Sequence, residues 1–471
     1  MKIKTASYLL LNKKYLALAI PLLMAAQAQG LEFNMGQIKG SLDSQISVGS
    51  SWRVESQDQS LLTQADGSDL ISNSDDSNRN YQDGDAFSQI FKGSHDLQFN
   101  YQNYGGFVRG KYWYDSALEN NSVDYGHNAT ASSNGVGGAA LDYDDPNSKL
   151  DDSNFNDLSK AKGATLLDAF IYGEFDMLGM PLDVRLGRQV VSWGESTFIR
   201  GGVNNINPVD ISAFRRPGAE IKEALLPVNM AFANVGLTDN LSMESFYQLE
   251  FQETVVPGCG TYFSTNDYAS EGCDSVAILN GLSSIARDED GVREAKSDGQ
   301  FGLAFRYISE ALGDTEFGLY YMNIHARLPA ASIKVRSADE LDASYHIEYV
   351  EDIQISGLSF SRGTESGWSI GGEVSLKQDY PINWNGNELI AAANNASYGL
   401  LTQEAIAASG DGSILGDSIE GYDLFDVWQA QVTFIKFFDQ VAGASRLSFV
   451  SEVGATYIQD LGDGVYGRSS A

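Results

Sequence analysis

The sequence predicts an all-β protein, a transmembrane antiparallel β-barrel, on three observations. Apolar and polar residues alternate with period two in stretch after stretch, the face opposite each apolar row is strongly polar, and the gaps between stretches are long and short in strict turn. The first stretch is the longest. Ile38, Leu42, Ile46, Val48, Trp52 and Val54 fall on even positions, with Lys39, Ser41, Asp43, Gln45 and Arg53 on odd ones. A tilted strand of that length crosses a bilayer and protrudes. The pattern returns through Phe91/Leu97/Phe99, Val108/Tyr112/Tyr114, Leu167/Ala169/Ile171, Leu182/Val184/Leu186, Val228/Met230/Phe232 and Met243/Tyr247. It continues with Leu303/Phe305/Tyr307, Phe317/Leu319/Tyr321, a bulged strand through Ile353, Ile355, Leu358 and Phe360, then Ile370/Val374/Leu376, Trp428/Val432/Phe434 and Leu447/Phe449/Val453. This reading gives about 13 strands.

Alternation alone also describes a soluble sandwich, whose polar faces meet water. The gaps separate the two. Segments 55–85, 116–164, 192–227, 256–298, 326–342 and 379–422 alternate with the short 102–105, 177–181, 238–240, 309–314, 363–367 and 439–445. Short inner turns and long external loops belong to bacterial outer-membrane barrels.

Composition narrows the class further. The 471 residues carry 31 Lys and Arg against 63 Asp and Glu, a net charge of −32, which argues against a nucleic-acid partner. The longest apolar run, residues 15–26, is too short for a membrane-spanning helix. It follows Lys2, Lys4, Lys13 and Lys14 and precedes Ala26-Gln27-Ala28, so residues 1–28 read as a cleaved signal peptide and 29–471 as the barrel. Losing those four lysines takes the net charge to −36. The acidic loops, with clusters such as Asp142, Asp144 and Asp145, read as solvated and bridged to lipopolysaccharide by divalent ions, without the spacing of a dedicated metal site. No cofactor is expected.

Residues 182–198 (LDVRLGRQVVSWGESTF), continued by 207–210 (NPVD) and 216–228 (RPGAEIKEALLPV), form a long distinctive signature. With 79–92 (RNYQDGDAFSQIFK), 260–267 (GTYFSTND) and 351–360 (EDIQISGLSF), they resemble the domain-of-unknown-function 1302 family of Gram-negative outer-membrane proteins. The resemblance covers essentially the whole mature chain. It implies a channel or facilitator for hydrophobic or amphipathic small molecules, whose partners are outer-membrane lipid, lipopolysaccharide, the barrel assembly machinery and a small-molecule solute. The alternative is a structural or adhesive surface barrel acting through its acidic loops.

Segment 192–227 differs from the other long loops. Glu195, Arg200, Asp210, Arg215, Arg216, Glu220 and Lys222 are set among aliphatic residues. Such a segment is expected to fold into the lumen and pair with the wall residues Arg109, Arg185, Arg188 and Glu373, where opposed charges select solutes. The competing arrangement is an external lid over a closed barrel. Cys259 and Cys273, in one loop of an exported chain, are expected to form a disulfide. His325 and His346 flank the loop 326–342 within possible reach of each other, but no nucleophile motif accompanies them, so an enzyme is not expected. Finally, an odd strand count and a polar tail without a terminal aromatic residue lead to the expectation that the barrel continues beyond Ala471, to 14–16 or more strands.

Overall fold

The computed structural model describes residues 30–62, 73, 76–126, 147–265, 267–273, 275–278, 283–336, 343–410 and 412–467. Residues 1–28, expected to be a signal peptide, and the Asp142–Asp145 region lie outside them. Fourteen strands form one antiparallel sheet in which every strand pairs with its neighbours in sequence. They are β1 (Leu31–Met35), β2 (Ile38–Trp52), β3 (Ala86–Tyr101), β4 (Tyr104–Asp115), β5 (Lys162–Met177), β6 (Met180–Gln189) and β7 (Val228–Thr238). The second half comprises β8 (Leu241–Gln248), β9 (Phe301–Ser309), β10 (Thr315–Ile324), β11 (Ile353–Gly363), β12 (Trp368–Asn383), β13 (Tyr422–Asp439) and β14 (Arg446–Ile458).

The strand missing from the sequence count is β1. Met35 pairs with Ile38 across a turn at Gly36, whose φ of +67° is costly for any residue with a Cβ. The sheet therefore has fourteen strands rather than thirteen, and the odd number behind the expectation of a further strand does not hold. Among the described residues no ladder joins β14 to β1.

Polarity is inverted relative to a soluble protein. Ile46, Val48, Leu319, Leu358, Leu447 and Val453 are exposed, whereas Lys92, Lys111, Glu373, Gln429 and Gln431 are buried. Exposed aromatic residues form two rows. Tyr101, Tyr104, Phe175, Tyr307 and Phe437 lie toward the short turns, and Trp52, Tyr114, Tyr247, Trp428 and Tyr457 toward the long loops. Nine residues separate Trp428 from Phe437 on β13, roughly 30 Å along the strand and ~23 Å along the axis of a barrel tilted by about 40°. That height matches the apolar band of a membrane barrel flanked by aromatic girdles.

Two apolar rows face inward instead. Val228, Met230 and Phe232 are buried with Ile353 and Ile355 in one cluster that includes Trp193, Val203 and Ile206. The anticipated bulge in β11 is absent, since its ladder with β10 runs without a register shift from Glu316↔Ser361 to Ile324↔Ile353. Leu358 and Phe360 face lipid while Ile353 and Ile355 face the lumen, so the change of phase follows from two different apolar surroundings.

The long loops are also more structured than solvated acidic loops. Five short strands, Ser275–Ile278, Ser283–Arg293, Ala343–Glu348, Ala330–Val335 and Ser418–Ile419, make a second sheet in that order. Residues 343–348, expected to begin a wall strand, belong to this sheet and pair in parallel with 283–293. Helices Gly386–Ala393 and Leu400–Ala408 pack on it around Ile285, Ile333, Tyr345, Trp384 and Ile414. The result is an external cap with its own core.

A candidate constriction made by segment 190–227

The connection between β6 and β7 is held to inner-wall residues on both halves of the sheet. Its first part meets β12–β14. The Glu373 carboxylate on β12 accepts the backbone N–H groups of Glu195 (2.6 Å) and Val203 (3.0 Å), together with the Gln431 amide (2.9 Å). Glu452 on β14 accepts the N–H groups of Thr197, Phe198 and Ile199 at 2.6–2.8 Å. Gln429 on β13 donates to the Arg200 carbonyl at 2.9 Å. The segment also meets β8, where Trp193 donates to Glu244 (2.7 Å) and Gln248 donates to the Ile206 carbonyl (2.9 Å).

The last part meets β2–β4. Lys111 donates to Asp210 at 3.0 Å, and the Asp210 side chain is fully buried. Lys92 pairs with Glu223 and donates to the Gly218 carbonyl at 2.8 Å. Gln45 donates to Glu220, and this bond, reinforced by Lys222, holds the Glu220 carboxyl below the usual carboxylate range. A single segment that touches the same face of β2 and of β14 requires the sheet to be rolled around it. Two wall glycines permit the approach: a Cβ at Gly49 would meet the Pro217 ring at 2.5 Å, and one at Gly371 would lie 3.3 Å from the Glu195 Cβ.

The sequence reasons for this path are local. Asp210 accepts the Ala213 N–H at 2.7 Å and so caps the short helix Ile211–Arg215. The Asn207 amide donates to the Leu226 carbonyl (2.8 Å) and its oxygen accepts the Val191 N–H (2.9 Å), closing the base of the segment. Trp193, Val203 and Ile206 bury their side chains against the inward apolar row of β7, β10 and β11.

Several sequence candidates have different partners from those anticipated. Arg109 is bound by the wall carboxylates Asp96 (2.8 Å) and Asp168 (3.2 Å), not by the segment. Arg185 lies over the Phe232 ring, and Arg188 donates to the Pro227 carbonyl and Gln252 at the rim. Arg215 donates to the Phe263 carbonyl, while Arg216 lies 4.7 Å above the Trp113 ring and donates to the Leu158 carbonyl. Both tie the segment to neighbouring loops. Arg200 is exposed, as is Phe198 beside it. In place of two facing charge rows, the structure shows Lys92, Lys111 and Arg109 paired with carboxylates, and Arg215 and Arg216 bound to carbonyls and rings. The lysines at its centre, Lys92 and Lys111, were not among the sequence candidates. Their place in register on the polar faces of β3 and β4 was the available signal.

Cys259 and Cys273 are joined in a disulfide, packed against Phe155. His325 and His346 have separate surroundings. His325 accepts the Asp352 N–H on Nδ1 and donates from Nε2 to the Asp298 carbonyl, whereas His346 lies 3.6 Å from Glu348. No group of three or more metal-ligating side chains occurs among the described residues.

The fold is similar to solved outer-membrane barrels. The outer membrane channel DcaP of Acinetobacter baumannii is 8% identical, with a TM-score of 0.35 over 92% of this chain and 82% of that one. Salmonella typhi OmpF, in complex with daunomycin, is 11% identical, with a TM-score of 0.28 over 91% and 100%. Pseudomonas aeruginosa OccK9 is 10% identical, with a TM-score of 0.26 over 78% and 87%. No curated protein matches the chain. A family model described as a protein of unknown function, DUF1302, matches residues 12–470, and the chain belongs to that family.

Proposed function

We propose that this protein is an outer-membrane channel or facilitator for hydrophobic or amphipathic small molecules, exported through a cleaved leader at residues 1–28. The observation that carries the proposal is the path of segment 190–227, anchored by Glu373 and Glu452 on one half of the wall and by Lys92 and Lys111 on the other. A structural barrel has no need of a segment across its lumen, whereas a selective pore needs a narrowing. The narrowing joins two surfaces. Its polar anchors satisfy backbone groups, while Phe198, Phe214 and Ile221 leave apolar surface exposed on the segment. A solute with apolar character gains contact there that a sugar or an inorganic ion does not.

The test is electrical recording from the purified full chain in planar lipid bilayers. The proposal expects discrete conductance steps that change when segment 190–227 is altered. A folded barrel that conducts no ions and passes no apolar solute into liposomes rules the channel out and leaves a surface role.

A further inference from the structure

Beside the inserted segment, at the end of β10–β12 next to the long loops, lies a cavity of about 110 Å³. Its lining includes Asn205 of the segment, the wall residues Ile324, Ile353, Ile355 and Tyr380, and Arg327. Four cations of the inner wall are matched by carboxylates: Lys92 by Glu223, Lys111 by Asp210, Arg109 by Asp96 and Arg306 by Glu244 and Glu316.

Arg327 has no such partner among the described residues. Its guanidinium donates to the carbonyls of Gln252 (3.0 Å) and Ile206 (2.9 Å) and to the Gln248 amide oxygen (2.6 Å), all neutral, and its buried Nε has no acceptor. Burial brings its pKa down to about 10, opposed by Glu253, so it stays charged at neutral pH. Lys377 on β12 is 3% exposed and likewise has no carboxylate within 4.0 Å among the described residues. Its Nζ lies 4.6 Å from the centre of the Tyr380 ring and 3.4 Å from the Cβ position of Gly201 on the inserted segment. Glu373, four residues earlier, is occupied by the segment's N–H groups and by Gln431.

Two buried cations without counter-ions are expensive unless an anion joins them. The apolar wall beside them is wrong for a bare inorganic anion and right for the carbon skeleton of an organic one. A second cavity of about 220 Å³ adjoins through the shared residue Asn383, and Ile333, Tyr345, Trp384, Leu389 and Ile390 line it in the cap. Among the described residues, no charged one lines that second cavity. We propose that Arg327 and Lys377 receive the head group of an amphipathic carboxylate, whose apolar part lies along Ile353, Ile355 and Tyr380 and extends toward the cap cavity. This rests on the channel reading and names the solute class it serves.

The experiment uses the full chain in lipid nanodiscs, with 4-phenylbutyrate and its uncharged analogue 4-phenylbutan-1-ol as probes and empty nanodiscs as the blank. Binding is read by ligand-observed NMR. The carboxylate is expected to bind saturably and about tenfold or more tighter than the alcohol, the discrimination that one charge-assisted hydrogen bond supplies. Lys377→Met is expected to erase that difference by weakening the carboxylate alone. The comparison of the two probes on the unaltered protein needs no variant to fold, and Lys377→Gln provides a second substitution. Equal affinities for the two probes, no saturable carboxylate binding, or a folded Lys377→Met protein with unchanged preference overturns the site. Conductance of the same preparation separates the two readings. Conduction without carboxylate preference removes the site and keeps the channel; preference without conduction keeps the site and removes the channel.

Discussion

Replacing Glu373 by Gln perturbs the segment at one anchor while preserving shape. The carboxylate accepts three hydrogen bonds, two of them from backbone N–H groups of the segment. Both its oxygens are in use: Oε2 receives Glu195 N–H, and Oε1 receives Val203 N–H and the Gln431 amide. An amide retains one oxygen and sets its own N–H groups against whichever backbone donor it faces. At least one charge-assisted bond is lost and one donor is left unsatisfied, costing about 2 kcal/mol or more. On that figure the released state of the segment becomes roughly 30-fold more populated. Replacing Glu452 by Gln in the same way perturbs the acceptor of three further backbone N–H groups. Single-channel recording should show larger or noisier open-state current in Glu373→Gln, and more so in Glu373→Gln/Glu452→Gln, with the folded barrel checked by heat-dependent gel mobility. Unchanged current in a folded double variant would refute the reasoning that these carboxylates hold a constriction.

Three more outcomes follow from the same geometry. Lys111→Met leaves Asp210 buried without its cation and should destabilise the segment by about 3–5 kcal/mol, seen as faster amide exchange across 205–225 with the wall strands unaffected. Cys259→Ser/Cys273→Ser should loosen residues 257–273 by roughly 3 kcal/mol of chain entropy in the simple model while the barrel still assembles; loss of assembly would contradict this. Burial holds His325 below its ordinary pKa of 6.5, so the unfolded state binds its proton first and the stability from the neutral ring is full above that value and falls as pH drops beneath it. Hydrogen exchange at 349–352, corrected for intrinsic rates, should quicken between pH 7 and 5. Asp352 and Glu351, both held below their ordinary values of 3.8 and 4.5, lose their contribution only in more acidic solution.

The barrel was legible because a membrane wall imposes period two and a fixed strand length, and because each long loop must return to the same side. β1 escaped notice because five residues make a short row, joined to the next strand by a two-residue turn. The rows Val228/Met230/Phe232 and Ile353/Ile355 alternate like the lipid-facing rows yet face inward, because alternation fixes phase but not which surface supplies the apolar neighbour. The cap sheet was hidden for another reason. Its strands come from three different loops and include a parallel pair, so no local pattern announces it. The composition of segment 192–227 marked it as unusual, but its partners Lys92, Lys111 and Glu452 are set by strand register, which a single chain read in order does not display.

Cross-linking tests most directly whether segment 190–227 crosses the lumen. In a Cys259→Ser/Cys273→Ser background, Glu195→Cys/Gly371→Cys places two Cβ atoms about 3.3 Å apart, slightly inside the ~3.5–4.5 Å span of a disulfide. Gly49→Cys/Pro217→Cys samples the other half of the wall, at 2.5 Å, where the segment must ease back slightly. Both pairs should oxidise in the assembled protein, and mass spectrometry should recover the 195–371 and 49–217 linked peptides. If the thiols at 195 and 217 instead stay free and react with a membrane-impermeant reagent added from outside, the segment lies over the barrel rather than within it, and the account is wrong.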